Sequence, residues 1–286
     1  MEKSFNRFTY YIALPVFIFL KSAESPALDG EAFKTSSALF LVTLALMICG
    51  TCGAMLLRLP TRSTGTFIQG TFRANLAYIG LPVLAYALKD QAPELQQKGQ
   101  TLAILTMAPG VFFYNILAVT VLEWARRHEL TGHPLLSTLR STFKNPLIIS
   151  CILGFGWNAL QLPVPELLSD ILQPVSQTAF PLALLAIGAR IAVLSWKKGL
   201  TAAIGVMLLK NGAGLLFGMG MCHLLGVEGL SRLVILVLSS CPTAVASYVL
   251  VDQLNGDRDL AASSIAVSHV GSMISLAFAL WIGLPL

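Results

Sequence analysis

Long apolar runs separated by short polar stretches make up almost the whole chain. A helix needs about 20 residues to cross the ~30 Å hydrocarbon core of a bilayer, and about nine of these runs are long enough to be candidates. They cover residues 8–22, 35–57, 66–88, 101–125, 146–161, 165–193, 199–225, 229–252 and 259–283. The pattern therefore predicts an all-α polytopic membrane protein that lies in the lipid bilayer.

The composition agrees with this prediction. Hydrophobic residues make up 55% of the chain and charged residues only 12%, whereas about a quarter of the residues in a soluble domain are charged. The 19 Lys and Arg residues outnumber the 14 Asp and Glu residues, but they are concentrated in short loops, where they orient membrane helices. We therefore expect no nucleic-acid partner.

The loop charges predict the orientation of the helices. Basic clusters follow the second, fourth and sixth runs, and acidic or mixed loops alternate with them. The basic residues are Arg58, Arg62, Arg126, Arg127, Arg140, Lys144, Lys197 and Lys198. Because basic loops stay in the cytoplasm, the N-terminus is predicted inside and the C-terminus outside a cytoplasmic (inner) membrane.

The longest polar connection spans residues 126–144 and includes a Gly-His-Pro sequence. Such a stretch is typical of a hinge between two units. We interpret it as a cytoplasmic linker between an N-terminal bundle, residues 1–125, and a C-terminal bundle, residues 145–286.

Two of the apolar runs are interrupted by polar residues and helix breakers, one in each half. The run 66–88 contains Arg73 and Asn75, and the run 229–252 contains Pro242 and Thr243. Paired interruptions indicate the binding site of a secondary transporter, and the N-termini of the half-helices favour an anion. The alternative is a pair of packing kinks, because proline is tolerated in membrane helices.

Two cations, Arg73 and Lys210, fall inside the predicted membrane core without a clear acidic partner. An unpaired buried cation must face water, bind backbone carbonyls or meet an anion from outside. We therefore predict a binding site for a small organic anion, with a carboxylate as the expected chemical class. Alternatively, Arg73 extends towards the cytoplasmic surface and Lys210 bonds to carbonyls at a helix end.

Other polar residues carry weaker signals. Asn115 and His269 are secondary candidates, and each could instead make an ordinary hydrogen bond between helices. The 4 histidines lie far apart without further ligands at metal-binding spacing, and Cys49 and Cys52 lie inside an apolar run. With no recognisable catalytic motif, we expect neither a metal site, nor a cofactor, nor an enzyme.

Four motifs, in order along the chain, resemble those of one family. The segment Gln69–Pro82 resembles the first crossover of the auxin efflux carrier family, which includes bacterial proteins described as malonate transporters. Asn145–Ile149 resembles the start of the second half of that family, and Phe180–Ala189 the following helix. Cys241–Leu250 resembles the second crossover.

This resemblance implies two inverted repeats of five helices, with two broken crossover helices near the membrane midplane. It also implies an elevator-type carrier of organic anions, which could be a homodimer. The asparagine that helps hold a carboxylate in plant members corresponds to Asn75, and Lys210 falls where related sequences also have lysine. Plant members have proline where this chain has Ala74, so its first break is expected to be gentler. The N-terminal repeat, residues 1–125, is expected to lack its first helix.

Taken together, the sequence predicts a secondary transporter, by the family name an exporter, of a mono- or dicarboxylate. One alternative is a proton- or cation-coupled exchanger that uses His269, Asp252 or Glu123. The other is a non-transporting membrane protein, either a sensor or a remnant.

Overall fold

The computed structural model describes residues 7–24, 29–131, 143–192 and 199–284, which are almost entirely helical. The helices are α1 Thr9–Ala23, α2 Gly30–Leu56, α3 Thr61–Phe72, α4 Leu76–Ala87, α5 Pro93–Thr131, α6 Pro146–Ala159, α7 Glu166–Ala192, α8 Leu200–Leu225, α9 Gly229–Ser240, α10 Ala246–Gln253 and α11 Arg258–Gly283. Every predicted apolar run contains a helix. The prediction of an all-α polytopic membrane protein is confirmed.

Within the described ranges, 4 helices are long and apolar enough to cross a membrane on their own: α2, α5, α8 and α11. The helix α2 begins earlier than the hydrophobic pattern indicates, because Asp29 caps it by accepting a hydrogen bond from the Ala32 N–H at 2.7 Å. The helix α5 continues to Thr131, inside the predicted linker. The rest of that linker up to residue 142, and residues 197 and 198, lie outside the described residues, so the division into two bundles stays a prediction.

The two predicted interruptions are real breaks, and they meet in space. The backbone is non-helical from Arg73 to Asn75, between α3 and α4, and again between α9 and α10. The Asn75 N–H donates to the Pro242 carbonyl at 2.8 Å, and the Ala244 N–H donates to the Arg73 carbonyl at 2.9 Å. Each break thus satisfies backbone groups of the other, which a membrane interior requires of non-helical backbone.

The helices pack in two groups. The first, which we name the scaffold group, contains α1, α6 and α7: α1 packs most extensively on α6, where Gly154 lies against the backbone of Phe19. The second, the crossover group, contains the two broken helices with α2, α5, α8 and α11 packed around them. Among the described residues, the two groups contact each other less extensively than the helices within each group do.

Candidate substrate-binding site

A cavity of about 410 Å³ lies between the scaffold group and the crossover. The breaks and the starts of the helices that follow them contribute residues 73–78 and 244–246. The scaffold group contributes the carboxyl half of α1 and Ala179 of α7, and α5 closes one side. The exposed residues Lys21 and Glu24 lie at its mouth. The volume falls within the range of small-molecule sites.

Arg73 is the buried charge of this cavity. Arg73 is among the residues that line the wall, although it is only 6% exposed. The Nη2 atom donates a hydrogen bond to Oδ1 of Asn115 at 2.9 Å, and Nη1 has no hydrogen-bond partner among the described residues. A guanidinium stays protonated in proteins, so a buried positive charge with an unbonded donor lies beside this cavity.

Asn115 on α5 holds that guanidinium in place. Its Nδ2 atom donates to the Val111 carbonyl, one turn earlier in the helix, at 2.9 Å. With the amide nitrogen engaged there, Oδ1 is the atom that accepts from Arg73. A neutral amide orients the guanidinium without cancelling its charge, as a carboxylate would.

Two helix N-termini add partial positive charge at the same place. Asn75 is buried, lines the cavity and directly precedes α4, but its side chain makes no capping hydrogen bond to that helix. The first turn of α4, from Leu76 to Tyr78, and the first residue of α10, Ala246, also line the cavity. The dipole of each helix favours an anion at its N-terminus, although in α10 the N–H groups of Ser247 and Tyr248 already donate to the carbonyls of Ala244 and Val245.

The remaining wall is mostly apolar. Its side chains come from α1, α4 and α5, and they are Leu14, Phe17, Ile18, Leu81, Ile104, Met107 and Val111. Sequence patterns do not single out these residues, because an apolar side chain in a cavity wall looks the same in sequence as one that faces lipid.

Pro242 and Thr243 support the cavity from behind and do not line it. The Pro242 carbonyl accepts from the N–H of Asn75. The Thr243 hydroxyl donates to the Gly70 carbonyl at 2.8 Å, and the Thr243 N–H donates to Oγ of Ser268 at 3.1 Å. These bonds join the second break to α3 and to α11.

Lys210 and His269 lie away from the cavity. Lys210 belongs to a π-helical turn of α8, Leu208–Ala213, and its Nζ donates to the carbonyl of Ser239 near the end of α9 at 2.9 Å. The ring Nδ1 of His269 lies 2.7 Å from the Ile265 carbonyl of its own helix.

Asn211, beside Lys210, is a polar residue in an apolar run that the sequence pattern did not single out. No set of three or more potential metal ligands occurs in the part of the chain that the structure describes.

Comparison with known proteins identifies the group to which this architecture belongs. The model of a family described as "Membrane transport protein" matches residues 1–280. The chain belongs to this family. The resemblance to the auxin efflux carrier family is thereby confirmed.

A named relative agrees with this membership. A protein of Methanocaldococcus jannaschii, named as an uncharacterized transporter, is 25% identical over 289 residues, which cover 98% of this chain and 89% of that protein. The chain is a multi-pass membrane transport protein, and both comparisons point to a transporter rather than an enzyme.

Proposed function

We propose that this transporter moves a small organic anion whose carboxylate binds between Arg73, Asn75 and the first turns of α4 and α10. One observation carries the proposal: Arg73 lines the cavity, Nη1 of its buried guanidinium is unbonded within the described ranges, and its side-chain partner is a neutral amide.

The energetics favour an incoming anion. Removing an ion from water costs several kcal/mol, and a carboxylate repays this best when it forms two charge-assisted hydrogen bonds with a guanidinium. Among the described residues no carboxylate lies within ion-pair distance of Arg73, whereas Glu123 and Asp252 pair with Arg126 and Arg258. The charge of Arg73 is therefore free for a substrate.

The shape and polarity of the cavity favour a monocarboxylate with an apolar body. The buried charge and the helix N-termini lie at the crossover, and the apolar side chains of α1 and α5 line the rest. A second carboxylate placed against those side chains would lose its hydration without a buried partner. We therefore rank apolar monocarboxylates above dicarboxylates such as malonate.

The position of the cavity supports an elevator-type mechanism. It lies between two groups of helices that make fewer contacts with each other than within themselves. Sliding of the crossover group along α1 and α7 would carry a bound anion from one side of the membrane to the other.

The membrane potential favours one direction of transport. Where the cytoplasm is electrically negative, export gains about 2.3 kcal/mol per 100 mV for each anionic charge, so we propose export.

Uptake into proteoliposomes tests the proposal. We expect saturable uptake of a labelled indole carboxylate that exceeds uptake of malonate. Arg73→Gln removes the charge and keeps a polar side chain, and Asn75→Ala removes the second candidate ligand. We expect each to reduce uptake at least tenfold, with an unchanged monodisperse profile in size-exclusion chromatography.

Three results would count against this proposal. Full uptake by the Arg73→Gln protein would show that the guanidinium does not bind the substrate. Dependence on His269 together with an imposed pH gradient would favour the coupled exchanger. Inactivity of the folded wild-type protein with every tested carboxylate would favour a non-transporting membrane protein.

The expected homodimer stays a prediction, which a mass measurement in detergent can test.

A further inference from the structure

A second buried cation takes no part in the proposed anion site. Lys210 is only 1% exposed, and it lies in a π-helical turn next to the carboxyl end of α9, just before the second break. Its Nζ donates to the carbonyl of Ser239 at 2.9 Å, and no carboxylate lies within ion-pair distance among the residues that the structure describes. π-Helical turns in membrane and soluble helices often occur at functional positions.

Oxygen atoms surround the carboxyl end of α9, where Lys210 binds. The carbonyl of Ser240 accepts from Nδ2 of Asn211 at 3.2 Å and from Oγ of Ser275 at 3.0 Å. Oδ1 of Asn211 and Oγ of Ser240 are buried and have no hydrogen-bond partner in the described part of the chain. The end of a helix also carries a partial negative charge, because its last carbonyls have no partner within the helix.

The space around the ammonium is narrow. A Cβ added at Gly214 would lie 2.6 Å from the Ser239 carbonyl oxygen and 3.6 Å from Nζ of Lys210. The glycine therefore lets α8 approach the end of α9 closely. The result is a narrow, buried position at the carboxyl end of α9 that holds one positive charge.

We propose that the ammonium of Lys210 takes the place of a bound alkali cation at the second break, so that transport needs no coupling cation. Carbonyl, amide and hydroxyl oxygens are the ligands that alkali and ammonium cations share. A cation that belongs to the chain neutralises the end of α9 in every conformation, and it cannot dissociate during the cycle. The anion would then move down its own electrochemical gradient. This inference concerns energy coupling and goes beyond the proposed anion site.

Thermal unfolding in detergent tests the inference without any substrate. Lys210→Ala removes the ammonium and leaves room for a cation, whereas Lys210→Met removes the charge and fills the space. Each protein is heated in sodium, potassium, ammonium or choline chloride at the same ionic strength. A ligand that binds only the folded state raises the melting temperature.

We expect the melting temperature of the wild type to be the same in all four salts. In choline chloride, both variants should have a lower melting temperature than the wild type. Sodium, potassium or ammonium should raise the melting temperature of Lys210→Ala by roughly 2–4 °C and leave that of Lys210→Met unchanged. A Lys210→Ala protein that responds to none of the cations would show that Lys210 only caps α9 and would overturn the inference.

Wild-type transport gives an independent measurement. Replacing sodium and potassium by choline on both sides of the liposome membrane should leave the uptake rate within twofold. A wild-type rate that falls at least tenfold in choline would overturn the inference even if Lys210→Ala does not fold. Failure of the anion proposal would appear instead as inactivity in every salt, and the melting measurements would still decide the role of Lys210.

Discussion

At the scale of single residues, the partner of Arg73 decides what its charge can do. Buried arginines in proteins commonly pair with carboxylates, and such a pair leaves little net charge for a ligand. Here the acceptor is Oδ1 of Asn115, which the Val111 carbonyl fixes in orientation through the amide nitrogen. The guanidinium is held in position and keeps its charge.

Asn115→Asp therefore tests the site with a change of one functional group. The new carboxylate would pair with Arg73 and neutralise it, so we expect uptake to fall at least tenfold while the melting temperature stays equal or rises. Uptake and thermal unfolding are measured on the same preparation. As a matched control, Asn255→Asp adds the same charge at an exposed loop residue and should leave uptake unchanged. Full uptake by the Asn115→Asp protein would show that the charge of Arg73 is not used for the substrate.

At the scale of secondary-structure elements, the two breaks depend on each other. Backbone hydrogen bonds join Asn75 to Pro242 and Ala244 to Arg73, and the hydroxyl of Thr243 binds the carbonyl of Gly70 near the end of α3. The sequence shows where each helix breaks, since proline, glycine and polar residues interrupt an apolar run. It does not show that the breaks pair, because they lie in opposite halves of the chain.

Thr243→Val should weaken this junction. The substitution keeps the shape of the side chain but leaves the buried Gly70 carbonyl without its hydroxyl partner, which costs about 1–3 kcal/mol. Thr51→Val is a suitable control, because the hydroxyl of Thr51 donates to the Met47 carbonyl of its own helix, one turn earlier. Reversible denaturation in mixed micelles should show a lower free energy of unfolding for Thr243→Val and a change below about 0.5 kcal/mol for Thr51→Val. Equal effects of the two substitutions would argue against a special junction.

At the scale of the whole molecule, described parts of three connections that are predicted to be cytoplasmic lie together. Arg62, which follows α2, and Arg126, in α5, line one surface pocket with residues 254–256 of the α10–α11 connection. This arrangement is consistent with the charge pattern and supports the proposed orientation, with the start of α1 in the cytoplasm.

Labelling with a membrane-impermeant thiol reagent tests this orientation. Arg58 and Lys89 are both exposed and lie in connections at opposite ends of the α3–α4 segment. In intact cells we expect the reagent to modify Lys89→Cys and to spare Arg58→Cys until the membrane is permeabilised. The unsubstituted protein measures the background from its 5 cysteines. The reverse labelling pattern would invert the proposed topology.

The sequence by itself determined the class of the protein, the positions of its membrane helices and the places where two of them break. These features are local: a bilayer requires a fixed length of apolar helix, and a helix-breaking residue acts on its own segment. The candidate site could be predicted in part, since Arg73 and Asn75 lie in one interrupted run and both line the cavity.

Only the tertiary structure decided which polar groups meet. Arg73 and Asn115 are 42 residues apart, and Lys210 and Ser239 are 29 residues apart. The structure brings Arg73 to the cavity with a neutral partner and places Lys210 against a helix end, although the sequence presents both as unpaired cations in apolar runs. The physical reason is that a buried charge takes its role from its neighbours in space, and helix packing chooses those neighbours.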